Sequence, residues 1–121
     1  MFQLDTRQVH GVPVIRVRGN LDFGVRQQLE EAVERSLTEV PDGWLLIDFA
    51  ESPMVDSAGL GLLVKTHRLC AARGGQLRLS GINDRIAKLL GVTHLTGLFA
   101  IDESVAAGLR AFGALTQISN A

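Results

Sequence analysis

The sequence predicts an α/β domain, a mixed sheet of about five strands with four helices packed against it. Short apolar runs alternate along the chain with segments whose apolar residues recur every three or four positions, which is the spacing of a helix face. The first two apolar runs are separated only by a turn, which indicates a hairpin before the alternation begins. A hairpin followed by strand–helix–strand units predicts a mixed sheet.

The predicted hairpin occupies the beginning of the chain. Residues 2–9 alternate loosely between apolar and polar types, as an edge strand does, and residues 14–17 form the second strand. Between these strands, His10-Gly11-Val12-Pro13 supplies the residues of a turn.

The first helix is predicted over residues 25–40. Its apolar side chains recur at helical spacing, and charged residues fill the opposite face. Asp22 precedes this helix, and we expect it to cap the N-terminus, because aspartate is among the residues preferred there. Pro41-Asp42-Gly43 ends the helix, and the apolar run 44–49 follows as a central strand.

The second half of the chain predicts three further helices and two strands. A helix begins around Ser57, runs to about residue 72 and is stopped by Gly74-Gly75, after which residues 76–80 alternate as a strand. A third helix spans about 84–90 with Gly91 as its stop, and a short strand covers 98–101. The last helix begins at Asp102 and continues to about residue 112, and we expect the tail, 114–121, to fray.

Composition limits the classes of function. A chain of 121 residues predicts one domain over 1–121, with its core at about 3–112. The net charge of −1 and the scattered basic residues give no basis for binding nucleic acid. Cys70 is the one cysteine, so neither an internal disulfide nor a cysteine-based metal site is expected. The sequence has no run long enough to insert into a membrane and no secretory leader, so we expect a cytoplasmic protein.

Ser57 is the main candidate for a functional residue, because it stands where a buried strand leads into a helix. Free backbone N–H groups and the helix dipole favour negative charge there, so a phosphate on the hydroxyl would be well accommodated. A plain helix cap is the competing interpretation. A catalytic serine fits poorly, because residue 55 is valine rather than the glycine of a nucleophile elbow. The histidines, His10, His67 and His94, belong to no recognisable triad motif, so no enzyme is predicted.

The motif around this serine also carries a resemblance. Asp56-Ser57-Ala58-Gly59-Leu60-Gly61 resembles the signature of the STAS domain, in particular that of bacterial anti-sigma factor antagonists. Gly19-Asn20-Leu21-Asp22 resembles the family's element before the first helix, and Gly74-Gly75 its turn into the fourth strand. Later segments, 86–90 and 95–99, resemble the family's third helix and the entry to its last strand, so the resemblance covers about residues 3–112.

The resemblance implies a partner-switching mechanism. The dephosphorylated antagonist binds an anti-sigma factor, which is also a serine kinase of the GHKL type, and thereby releases a sigma factor. The kinase phosphorylates the matching serine, here Ser57, and a PP2C-type phosphatase reverses the modification. Asp22 and Asp56 through Gly61 would contact the partner. The chain itself would need neither cofactor nor metal, would not be an enzyme, and would be a monomer or weak dimer.

Alternatives remain open at the level of sequence. The STAS adaptor subunits of bacterial lipid-transport ABC systems resemble this chain at the same helix start, where Ala58 also fits, and a stressosome-type scaffold is a further possibility. Many antagonists have Ser or Thr where this chain has Ala58, which leaves Ser57 as the one hydroxyl of the motif. The glycines at 59 and 61 could serve close packing of the helix or the approach of a partner. A nucleotide-binding module is disfavoured, because the chain lacks a phosphate-binding glycine loop.

Overall fold

A computed structural model describes residues 2–113 as a five-stranded sheet with four helices, which confirms the predicted fold class. The strands lie in chain order across the sheet; β1 and β2 pair antiparallel, and each later neighbour pairs parallel. The elements are β1 (Gln3–Val9), β2 (Val12–Arg18), α1 (Arg26–Glu39), β3 (Leu45–Glu51), α2 (Ser57–Ala72), β4 (Leu77–Ser80), α3 (Asp84–Val92), β5 (Ala100–Asp102) and α4 (Val105–Ala111).

The central strand β3 is buried because both of its faces are covered. Leu45, Ile47 and Phe49 point into the larger core, together with the apolar faces of α1, α2 and α3. Leu46 points to the other face, where Leu109 of α4 belongs to a smaller core. A parallel strand with a helix layer on each side is expected to be largely apolar, and Leu45 to Phe49 is such a run apart from the buried Asp48.

The same face as Leu46 carries charge at the other end of the strands. Arg16 Nε donates to the buried carboxylate of Asp48 at 3.1 Å, and Arg18 lies 2.9 Å from Asp5 on the neighbouring strand. Next to α4, Arg78 binds Asp102 through two hydrogen bonds of 2.7 and 3.0 Å. Ion pairs between strands therefore share this face of the sheet with the apolar side chains that pack against α4.

The start of α1 differs from the prediction. The N-cap position is Val25, which makes no side-chain capping bond, and the helix begins at Arg26. Asp22 instead accepts a hydrogen bond from the backbone N–H of Gly24 at 3.0 Å, as aspartate does in an Asx-type turn. The prediction that Asp22 caps the first helix is therefore wrong, because the turn at Gly24 takes up its carboxylate two residues before the helix.

Two later boundaries also differ. Gly91 lies inside α3. The helix ends in a Schellman motif, in which His94 has a φ of 60° and Leu95 N–H donates to the carbonyl of Leu90 at 2.8 Å. Asp102 belongs to β5, because Arg78 holds its side chain, and α4 begins two residues after Glu103 behind the cap residue Ser104. The predicted frayed tail, 114–121, lies outside the described residues.

Candidate functional site

The N-terminus of α2 is capped by Asp56. This residue has an extended backbone, with φ −94° and ψ −177°, and its Oδ1 accepts a hydrogen bond from the backbone N–H of Gly59 at 2.9 Å. An aspartate in this position satisfies one of the free N–H groups of the first helical turn. Ser57 is the first residue within the helix. The interpretation of Ser57 as the helix cap is therefore wrong, and its hydroxyl has no capping role.

The second oxygen of Asp56 joins two neighbouring loops. Asp56 Oδ2 accepts from the backbone N–H of Phe23 at 3.1 Å. The backbone adds two more bonds: Leu21 N–H donates to the Met54 carbonyl at 2.9 Å, and Asp56 N–H donates to the Leu21 carbonyl at 3.1 Å. The loop after β2 and the loop after β3 thus form one surface beside the first turn of α2. This joins the two predicted sites, the one at residue 22 and the one at residues 56–61, in adjacent loops.

Ser57 is exposed on this surface, and Ala58 beside it is half-buried. Asp22 is half-buried, with one carboxylate oxygen engaged by Gly24. The first turn of a helix presents free N–H groups and the positive end of the dipole, which favour an anion at this position. An exposed hydroxyl there is chemically suited to accept a phosphoryl group from an enzyme that can approach it.

The remaining residues of the motif have different environments. A Cβ on Gly59 would lie 2.6 Å from the carbonyl oxygen of Leu21, so only glycine lets α2 approach this loop so closely. Leu60 is 6% exposed and belongs to the main core. A Cβ on Gly61, in contrast, would meet no atom within 4 Å. Close packing therefore explains Gly59 but not Gly61, and of the predicted contact residues Gly59 and Leu60 are buried within the fold.

Two exposed apolar residues of this surface were not predicted from the sequence. Phe23, between Asp22 and Gly24, is 78% exposed, and Met54 is 37% exposed. Large apolar side chains at such positions cost free energy in water and often mark contact sites. A sequence signal was present, since each residue is an apolar side chain inside a turn rather than on a periodic face.

Two titratable groups near α2 have shifted pKa values. A hydrogen bond from Lys65 of α2 lowers the pKa of Glu30 on α1, and this exposed pair joins the two helices. Burial raises the pKa of the Cys70 thiol to about 11. A buried thiol held protonated is a poor nucleophile, so Cys70 serves as a small apolar residue of the core. His67 packs edge-on against Phe99, with ring centroids 6.1 Å apart.

Residues 2–113 contain no group of three or more histidine, cysteine, aspartate or glutamate side chains that could hold a metal ion. Over the same residues, no helix is both long and apolar enough to cross a membrane. The candidate site consists of the Ser57 hydroxyl, the carboxylates of Asp22 and Asp56 and the exposed side chains of Phe23 and Met54 around the start of α2.

Comparison with known proteins shows the family to which the chain belongs. The STAS domain model matches residues 3–108. The chain is 28% identical over 104 residues to an anti-sigma F factor antagonist of Paenibacillus polymyxa, covering 83% of each chain. It is 33% identical over 88 residues to an anti-sigma-B factor antagonist of Listeria monocytogenes, covering 72% of this chain and 75% of the relative.

A solved structure gives the same result for the fold. The phosphorylated form of SpoIIAA, a Bacillus cell fate determinant, superimposes with a TM-score of 0.70 at 21% identity, covering 93% of this chain and 99% of that one. The family match covers the whole sheet and the start of α2, and the resemblance inferred from the motif is confirmed. The chain belongs to the STAS domain family and, within it, to the anti-sigma factor antagonists.

Proposed function

We propose that this protein is a cytoplasmic partner switch controlled by phosphorylation of Ser57. In the unmodified state it binds an anti-sigma factor that is also a GHKL-type serine kinase, and the bound sigma factor is released. Phosphorylation of Ser57 by that kinase ends the complex, and a PP2C-type phosphatase restores the binding form. The protein acts by binding rather than by catalysis and works as a monomer or weak dimer.

The observation that carries this proposal is the division of roles at the start of α2. Asp56 caps the helix, while the neighbouring residue Ser57 is exposed and does not take part in capping. A serine that the fold does not need for capping can be modified without loss of the helix. The relatives named anti-sigma factor antagonists support the partner class, and the structure of phosphorylated SpoIIAA supports the modification.

Electrostatics supply the switch. A phosphate on Ser57 would add roughly −1.5 to −2 charge at neutral pH. The surface already carries Asp22 and Asp56 in adjacent loops, so the new charge raises the negative potential that a partner meets. Free N–H groups at the helix start stabilise the phosphate within the free protein. The repulsion therefore acts on the complex rather than on the fold.

The test is phosphosite mapping by mass spectrometry. The protein is incubated with ATP and, in turn, with each GHKL-type anti-sigma kinase encoded in the source genome. We expect one kinase to phosphorylate Ser57 and then to dissociate from the phosphorylated protein. Ser57→Ala should abolish the modification. Ser104→Ala is the matched control, because Ser104 is also an exposed serine at a helix start, where its hydroxyl caps α4.

The site of phosphorylation and its effect on binding decide whether the proposed switch is correct. Modification of Ser57 by one kinase supports the switch and identifies the partner. If every kinase leaves Ser57 unmodified, or if the modified protein binds its kinase as well as the unmodified one, the proposed switch is wrong. A modification that maps to Ser104 instead would also contradict it.

A further inference from the structure

A second feature of this surface is an apolar groove between α3 and the loop after β3. The groove has a volume of about 310 Å³. Within residues 2–113, three large apolar side chains are exposed, and two of them, Met54 and Val92, line this groove. Val92 is 65% exposed in the last turn of α3. The remaining lining residues are Val55, Arg85, Ile86, Lys88 and Leu89.

The charge of the groove has one sign. Arg85 and Lys88 are exposed cations among its lining residues, and the lining contains no acidic side chain. Arg85 Nη1 lies 3.9 Å from the sulfur of Met54, so the guanidinium lies directly beside an apolar side chain of the lining. An apolar floor with cationic sides is complementary to an apolar side chain that is flanked by carboxylates.

The groove is fixed next to Ser57. Met54 and Val55 line it and lead directly into Asp56, the cap of α2. On the other side, Asn83 caps α3 through its Oδ1, while its amide nitrogen donates to the Pro53 carbonyl at 2.9 Å. This residue therefore ties the start of α3 to the loop after β3. A segment bound in the groove is held at a defined position relative to the Ser57 hydroxyl.

We propose that this groove binds an apolar side chain carried on an acidic segment of the anti-sigma partner. The proposal rests on the proposed function and adds a second contact to it, on α3, outside the Ser57 motif. The Ser57 surface is acidic and the groove is basic, so the partner needs opposite charge at the two places. This pattern of charge favours one orientation of the partner and rejects proteins that lack it.

The apolar part of the proposal is tested at Val92. Affinity is measured by calorimetry for the anti-sigma kinase that phosphorylates Ser57. Val92→Glu places a carboxylate at the exposed apolar edge of the groove, where it would face the acidic segment of the partner, and we expect Kd to rise about tenfold. Because Val92 is 65% exposed, the fold tolerates the change. Ala87→Glu is the matched control, an exposed residue of the same helix that does not line the groove.

The charged part is tested at Lys88. Lys88→Glu reverses one groove cation, and we expect weaker binding with a smaller dependence of Kd on salt concentration. Arg110→Glu makes the same change in net charge at an exposed residue of α4, on the other face of the sheet, and should leave Kd close to that of the unmodified protein.

The results distinguish the groove from the switch. Weaker binding by Val92→Glu and Lys88→Glu, with both controls near the unmodified protein, supports the groove. If both groove variants bind like their controls while Ser57→Asp loses affinity, the groove proposal is wrong and the switch stands. If no anti-sigma kinase binds the unmodified protein, the proposed function is wrong, and the groove proposal is overturned with it.

Discussion

The starts of α2 and α4 use the same residue types for different tasks. At α4, the Ser104 hydroxyl accepts from the backbone N–H of Ala107 at 3.1 Å and thus caps the helix. At α2, the carboxylate of Asp56 caps the helix, and Ser57 follows it as the first helical residue. Ser104 therefore has a structural role, whereas the hydroxyl of Ser57 is available for modification. Only the capping geometry distinguishes the two serines.

The two helices also differ in the atoms against which their glycines pack. A Cβ on Gly59 would meet the backbone carbonyl of Leu21 at 2.6 Å, whereas one on Gly108 would meet the end of the Leu46 side chain at 2.5 Å. A side-chain end can rotate away, but a backbone carbonyl in a hydrogen-bonded loop cannot. The start of α2 is thus the less tolerant of a larger residue, because its first turn packs directly against the backbone of the loop after β2.

The largest effect is expected at Gly59. Gly59→Ala should lower the free energy of unfolding by about 1–3 kcal/mol, because overpacking against a fixed carbonyl outweighs the better helix propensity of alanine. Urea denaturation followed by circular dichroism measures it. Gly108→Ala is the paired variant and should cost less, since Leu46 can move. A larger loss of unfolding free energy for Gly108→Ala than for Gly59→Ala would contradict the expected difference between the two helices.

Asp56 comes next. Asp56→Ala removes the hydrogen bonds to Gly59 and Phe23, and the free energy of unfolding should fall by about 1–2 kcal/mol, as for the loss of an N-cap. Thermal and urea unfolding measure the change. Asp56→Asn, which keeps a capping oxygen, should recover much of the loss. Equal stability of Asp56→Ala and the unmodified protein would show that the cap contributes nothing.

Ser104 should behave as a capping serine. Ser104→Ala removes the acceptor for Ala107 N–H, and we expect a loss of about 0.5–1 kcal/mol, at the low end for caps because α4 is short. The same urea titration measures it, and Ser104→Asp, which retains an acceptor, serves as the control. A loss above that of Asp56→Ala would reverse the predicted order of the two caps.

Ser57 should show the smallest effect on stability. Ser57→Ala removes an exposed hydroxyl without a capping role, so the free energy of unfolding should change by less than about 0.5 kcal/mol. The contrast with Ser104→Ala in the same titration is the informative quantity. A loss at Ser57 equal to or greater than that at Ser104 would mean that the hydroxyl has a structural role after all.

The sequence predicted the order of elements and a start of α2 around Ser57, because those features depend on local pattern. The apolar run through Ile47 and the glycine pair at 74 and 75 mark their elements without help from distant residues. Asp22 was misassigned because Gly24 offers its carboxylate a nearer donor than the helix does. Asp102 was misassigned because its partner, Arg78, lies on another strand.

The candidate site was only partly predictable for the same reason. The motif identified Ser57 and its acidic neighbours, but it could not show which of two oxygen-bearing side chains makes the cap. The exposure of Met54 and Val92 depends on how α3 lies against the loop after β3, which is a tertiary feature. The groove between them therefore follows from packing alone.

The central claim is that phosphorylation of Ser57 controls partner binding. The most direct measurement is Kd for one anti-sigma kinase with the unmodified protein and with protein phosphorylated at Ser57 to completion, in the same buffer. The account predicts that the phosphate weakens binding several hundredfold, which corresponds to about 3–4 kcal/mol. Ser57→Ala should bind like the unmodified protein. Equal Kd values for the phosphorylated and unmodified forms would contradict the claim.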